Sequence, residues 1–259
     1  MAARDTISAA IRAAATTAKP ALVGFLTAGF PSRRTFKDNL SAVAGACDVV
    51  EIGVPFTDPM ADGTTVQRAS FAALGGGVTL PWILEELGSV NPRHAAPILL
   101  MSYLNPLLQY GLDALPRAAA AAGVAGFIVP DLPFEESADI KQALDAEGLA
   151  LVQMVTPVTP PPRLAMLCRE AEGFVYAVTM TGTTGAPKGR TAEVPDEVLE
   201  YMDRVRRCSN VPVCAGFGIR SREQVARFAG HVDGVVVGSA LVEVLERGED
   251  AGAFLRSLR

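Results

Sequence analysis

Residues 51–63 read EIGVPFTDPMADG and hold three carboxylates, Glu51, Asp58 and Asp62. Glu51 lies in an apolar run with strand character. Side chains alternate along a strand, so Val49 and Gly53 share its face and Val50, Ile52 and Val54 take the other. The second set suits the side that a helix layer covers, which leaves Glu51 facing the open end of the sheet. The bland role for such an acid is a buried ion pair, but no Lys or Arg lies in the predicted strands, so a partner would have to reach in from a loop. A buried unpaired carboxyl is costly unless it is used, and desolvation lifts its pKa toward neutrality, where general acid–base chemistry operates. Asp58 and Asp62 fall on the following loop. D-P-M-A-D-G is also turn chemistry, and spacing does not rank the two acids.

A second group is rich in glycine. Thr181-Gly-Thr-Thr-Gly185, Gly216-Phe217-Gly218 and Gly238-Ser239 each follow an apolar run, and the last precedes the helix-like ALVEVLE. Glycine lets backbone N–H groups approach an anion, and a helix N-terminus adds a favourable dipole, so a phosphorylated substrate is implied. Lys188 in GAPKG lacks the following Ser or Thr of a nucleotide-binding loop, and Lys188 and Arg190 read as solvated charges. Phe25, Tyr103, Tyr176 and Phe217 stand at or near strand ends, where they either wall a flat apolar pocket or pack in the core. Cys47, Cys168, Cys208 and Cys214 form no C-x-x-C pair, and His94 and His231 have no carboxylate or second histidine at ligand spacing. No metal and no disulfide framework is expected.

These residues need a scaffold, and the chain repeats one. Short apolar runs recur at 21–29, 47–55, 97–104, 126–133, 149–157, 173–182, 211–219 and 233–241, separated by helix-like stretches. Eight strand–helix alternations over 259 residues close most naturally into a (β/α)8 barrel, read as one domain over 1–259. An open doubly wound sheet would want G-x-G-x-x-G after the first strand, which is absent. The start, MAARDTISAAIRAAA, reads as a short amphipathic helix rather than a signal peptide. Ser221 suits a helix N-cap, and FEESADIKQALDAEG a helix ending at Gly148. About forty residues separate strands 2 and 3 and about thirty separate strands 6 and 7, the latter reading as a lid. With 49% apolar and 20% charged residues and a net charge of −5, the chain has no basic stripe for nucleic acid. No apolar run reaches the roughly 20 residues of a membrane span, and a cytoplasmic location is expected.

EIGVPFTDPMADG resembles the E-x-G-x-P-F-S-D-P-x-A-D-G motif of the tryptophan synthase α subunit family. FLTAGFP, LLMSYLNP, VPDLPFEES, TPVTPP, TGTTG, AGFGI and VVGSALV follow in that family's order over nearly the whole chain. The resemblance implies a (β/α)8 barrel that cleaves indole-3-glycerol phosphate to indole and glyceraldehyde 3-phosphate without a cofactor, bound to a pyridoxal-phosphate β subunit in an α2β2 assembly. It implies that Glu51 is the general acid–base, that Asp62 hydrogen-bonds the indole N–H and that Tyr176 stands near Glu51. It further implies that Phe25 and Phe217 wall the pocket, that Thr184 meets Asp62 on lid closure, and that Gly185, Gly218, Gly238 and Ser239 bind phosphate. Asp58 and Asn105 match segments that face the β subunit.

The chain departs from the family pattern at Thr64, where Pro is common, at Ser102-Tyr103-Leu104, and in the lid MTGTTGAPKGR. These departures motivate a second reading, a stand-alone lyase that releases free indole. A third is a slow barrel that mainly binds and activates a β subunit, against which retention of both carboxylates speaks. Another phosphate-binding barrel would want a strand-end Lys or a His/Asp metal set, and neither is visible.

Overall fold

The structure is a computed structural model that describes residues 2–16, 19–90, 96–179, 194–216 and 218–259. Eight parallel strands close into a barrel in sequence order. They are β1 (Ala21–Thr27), β2 (Val49–Gly53), β3 (Ile98–Met101), β4 (Val124–Ile128), β5 (Ala150–Val155), β6 (Val175–Val178), β7 (Val213–Gly216) and β8 (Gly234–Val237). The helices are α1 (Ala3–Ala14), α2 (Phe36–Ala44), α3 (Thr64–Gly75), α4 (Leu80–Ser89), α5 (Leu104–Tyr110), α6 (Leu115–Ala121), α7 (Ala138–Ala146), α8 (Pro161–Glu170), α9 (Asp196–Cys208), α10 (Arg222–Arg227), α11 (Ser239–Glu246) and α12 (Ala251–Ser257).

Alternation along each strand divides the core in two. Leu22, Leu26, Val50, Ile52, Leu100 and Val235 pack outward against the helices. Val23, Phe25, Val49, Leu99, Val152, Tyr176 and Val236 fill the barrel interior. The interior group also includes Ile7 and Ile11, both fully buried, because α1 lies across the N-terminal end of the barrel as a lid. Arg4 N donates to Gly148 O at 3.0 Å, Ser8 Oγ to Gly173 O at 2.5 Å, and the Arg4 guanidinium pairs with Asp145 and Glu172. Ser221 caps α10 by accepting from Gln224 N, as its sequence suggests.

One expectation is corrected. The fourth strand is Val124–Ile128 rather than 126–133. The register slips between Ile98 and Leu99, which pair with Val124 and Gly126, so Ala125 is an extra residue. Pro130, which has no N–H to give a ladder, follows soon after. The forty-residue connection after β2 holds two helices, α3 and α4, and residues 54–63 form the loop that leads from β2 to α3.

Candidate active site

Glu51 stands in register with Phe25 of β1 and Leu99 of β3. It is 1% exposed, and its Oε2 has no hydrogen-bond partner among the described residues. Burial pushes its pKa up to about 8, and the negative charge of Asp62 acts in the same direction. A carboxyl in this state holds its proton at neutral pH and can give it away.

Asp62 reaches the same cavity from the loop. Burial raises its pKa to about 6, and a hydrogen bond from Tyr103 pulls it back down. At pH 7 the two environments thus favour an acid on the strand and a carboxylate on the loop. The loop is tied down from several sides: Asp62 N donates to Pro59 O at 3.1 Å, Gln67 Nε2 to Asp62 O at 2.9 Å, and Phe56 N to Ser70 Oγ at 2.8 Å. Asp58 is instead exposed on the loop, its carboxylate receiving the Thr57 hydroxyl at 2.6 Å and its carbonyl accepting from Met60 N at 2.8 Å.

Phe25 and Tyr176 flank the acid. Each lies over a strand-end glycine, and no side chain could replace either glycine without displacing the ring. A Cβ on Gly53 would come 2.7 Å from Phe25 Cζ, and one on Gly216 would come 2.3 Å from Tyr176 Cε1. Burial raises the Tyr176 phenol well above its ordinary pKa, and the charges of Glu51 and Asp62 add to this, so it stays protonated.

The cavity these groups enclose has a volume of about 450 Å³ including its open mouth. Gly218, Gly238 and Ser239 form part of its lining. Gly218 has φ +84°, in the left-handed region that favours glycine. Gly238 precedes α11, whose first amides have no intrahelical acceptor, so they can receive an anion. Val66, Met101 and Val236 complete the apolar lining and were missed as site residues. Met101 shares the interior face of β3 with Leu99, and Val236 the interior face of β8, so both were accessible to the period-two rule. Val66, on α3, carries no such signal.

One placement differs from expectation. Tyr103 does not wall the cavity; it stands behind Asp62, its ring on Phe56 and its hydroxyl 3.2 Å from Asp62 Oδ2. Thr184, Gly185, Phe217, Lys188, Arg190 and His94 lie outside the described residues. His231 is on the outer layer, with Nδ1 3.0 Å from Asp203 Oδ1. The four cysteines are free.

The family model described as tryptophan synthase alpha chain matches residues 11–256. The chain belongs to the tryptophan synthase alpha chain family. It is 47% identical to the tryptophan synthase alpha chain of Solidesulfovibrio magneticus over 242 residues, covering 93% of each chain. It is 44% identical to that of Nitratidesulfovibrio vulgaris over 248 residues, covering 95% of each. Among solved structures, tryptophan synthase of Mycobacterium tuberculosis superposes with a TM-score of 0.86 at 37% identity, covering 97% of this chain and 95% of that one.

Within the tryptophan synthase alpha family, the departures in this chain have readable local consequences. Thr64 is the first residue of α3. Proline is favoured at that position because the N–H there has no helical acceptor, so threonine starts the helix without breaking a bond. Ser102 is 1% exposed, and its hydroxyl donates to Tyr103 O at 2.9 Å. Leu104 begins α5, with its N–H donating to Asp131 Oδ1 at 2.9 Å.

Proposed function

We propose that this chain is the α subunit of a tryptophan synthase, a lyase that cleaves indole-3-glycerol phosphate to indole and glyceraldehyde 3-phosphate in tryptophan biosynthesis. The observation that carries the reading is the pairing of Glu51, a buried carboxyl whose Oε2 has no hydrogen-bond partner among the described residues, with the loop carboxylate Asp62 in one cavity whose lining includes a helix N-terminus.

Protonated Glu51 gives its proton to carbon 3 of the indole ring, and positive charge develops at the ring nitrogen. Asp62, ionised, accepts the indole N–H and stabilises that charge in a site sheltered from water. The glycerol hydroxyl next to the ring then loses its proton to the Glu51 carboxylate. Its oxygen forms the aldehyde C=O as the carbon–carbon bond breaks, and that bond's electrons return to the ring. Glu51 ends protonated, ready for the next turnover. Tyr176, a proton donor throughout, stands beside Glu51. Phe25, Val66 and Met101 offer apolar surface for the indole. Gly218, Gly238, Ser239 and Gly185 take the phosphate, with Phe217 as a further wall and Thr184 meeting Asp62 when the lid closes.

A β subunit that consumes indole is the proposed partner, in an α2β2 assembly in the cytoplasm. Among the described residues, no helix is long and apolar enough to cross a membrane. The test is turnover of indole-3-glycerol phosphate by purified chain, followed through both products, with and without a tryptophan synthase β subunit. Strong activation supports the complex, high unaided turnover favours a stand-alone lyase, and no product in either case defeats the reading.

A further inference from the structure

Tyr103 is outside the cavity lining, but its hydroxyl contacts a residue within it. It immediately precedes α5, is 5% exposed, and stacks on Phe56 with ring centroids 5.1 Å apart at 28°. Its hydroxyl accepts from Ala61 N at 2.8 Å and donates to Asp62 Oδ2 at 3.2 Å. One phenol oxygen thus holds both the backbone of the loop and the carboxylate that the loop presents. These contacts span from the end of β3 to a loop some forty residues earlier, so they fix the loop against the barrel rather than within itself.

We infer that Tyr103 is a positioning residue for the cleavage reaction: it clamps residues 54–63 to the end of β3 and aims the Asp62 carboxylate into the cavity through a hydrogen bond that favours its charged form. This inference rests on the role proposed above for Asp62. Its physical basis is that a donor to a carboxylate stabilises the ion over the neutral acid. The groups around Asp62 set the background for that effect. Glu51 faces it from β2 and Tyr176 from β6, and both are coupled to its charge. On α3, which follows the loop, Thr65 donates to Glu243 of α11 at 3.4 Å and Arg68 pairs with Glu246. Burial raises the Tyr103 phenol, and the negative charges of Asp62 and, to a lesser degree, Asp131 act the same way, so it stays protonated. Tyr103 is the hydrogen-bond donor that these described groups provide to the Asp62 carboxylate.

The test compares wild type with Tyr103→Phe, which keeps the ring and removes the hydroxyl. Cleavage is followed from pH 5 to 9, and indole affinity is measured by calorimetry, which needs no turnover. The expected result is a kcat about tenfold lower, the scale on which misplacing a catalytic group acts. KM should stay within about twofold, a change small beside a lost binding contact. The acidic limb of kcat/KM should move up by about one pH unit, because Asp62 loses a donor to its charged form. Indole affinity should fall earlier as pH drops. An unshifted limb with wild-type kcat overturns the inference. Should Tyr103→Phe lose thermal stability, Phe56→Leu decides, since it loosens the stack and keeps the hydroxyl. A limb shifted only in Tyr103→Phe supports positioning, and equal shifts in both variants overturn it. Failure of wild type itself to cleave substrate or bind indole sinks the functional reading instead, which keeps the two failures distinct.

Discussion

The two ends of the barrel are built to opposite standards. At the N-terminal end, Ile7 and Ile11 of α1 fill the interior with no exposed surface, and α1 is tied to the rim by hydrogen bonds and by Arg4. At the C-terminal end, Glu51 Oε2 and Thr27 Oγ1 are buried without partners among the described residues. Satisfied, close-packed surface contributes stability, whereas an orphaned buried polar atom costs roughly 1–3 kcal/mol. One end therefore holds the barrel, and the other tolerates a cost that the proposed chemistry would explain. Effects on stability and on turnover should therefore separate by position along the barrel axis.

The sharpest break between the ends is Glu51→Gln. Cleavage should fall by about a thousandfold, within the range that one acid–base group supplies, while the protein still folds. The same variant carries a pH signature. The folded-state pKa of Glu51, about 8, lies above its ordinary 4.5, so its contribution is fully present below about 4.5 and is lost as pH rises through 8. Wild type should lose thermal stability across that window, and Glu51→Gln should flatten the loss, an outcome read by melting at pH 5, 7 and 8.5. A variant that melts in parallel with wild type would show that the burial of this acid has no energetic consequence.

Next in size is Ile11→Ala, which should cost about 2–5 kcal/mol of stability by leaving a cavity under the barrel. Urea unfolding measures it. Folded protein should keep kcat within about twofold, since the chemistry is at the far end. A proportionate fall in both would erase the division proposed here. Asp62→Asn should follow, with turnover reduced about a hundredfold, the scale of removing one charge-stabilising group, and a midpoint of unfolding near wild type. Equal losses would mark Asp62 as a structural turn residue. The smallest effect belongs to Arg4→Met. Its side chain is 30% exposed and its pairs with Asp145 and Glu172 are partly screened, so about 1 kcal/mol of stability is expected, with turnover untouched.

The division was partly legible before any coordinates. Strict alternation in VVEIGV places Glu51 inward and Val50 and Ile52 outward, and the barrel keeps that phase. The same rule fails at β4, where the extra residue Ala125 flips the alternation and Gly126 is needed because a Cβ would meet the Ala150 backbone at 2.7 Å. Bulges carry no periodic signal, so such a slip is invisible in one sequence. The positions of Glu51, Gly238 and Ser239 followed from their places at strand ends, a topological argument, whereas Asp62 was set apart from Asp58 only by the family motif. Val66 looked like any apolar helix residue. Tyr103 looked like a pocket wall because aromatic character is visible in sequence, whereas the direction of a hydroxyl toward a loop some forty residues away is not.

The glycines beneath Phe25 and Tyr176 have one more consequence. By omitting a side chain, Gly53 and Gly216 act as recesses into which the rings settle, so the width of the slot is fixed by missing atoms rather than by those present. A methyl group at either recess would tip an aromatic plate into the opening and narrow it to the thickness of a smaller guest, without touching a single charged group. Selectivity for a flat bicyclic ring would in this sense be written in the strand ends, under the residues proposed to meet the substrate.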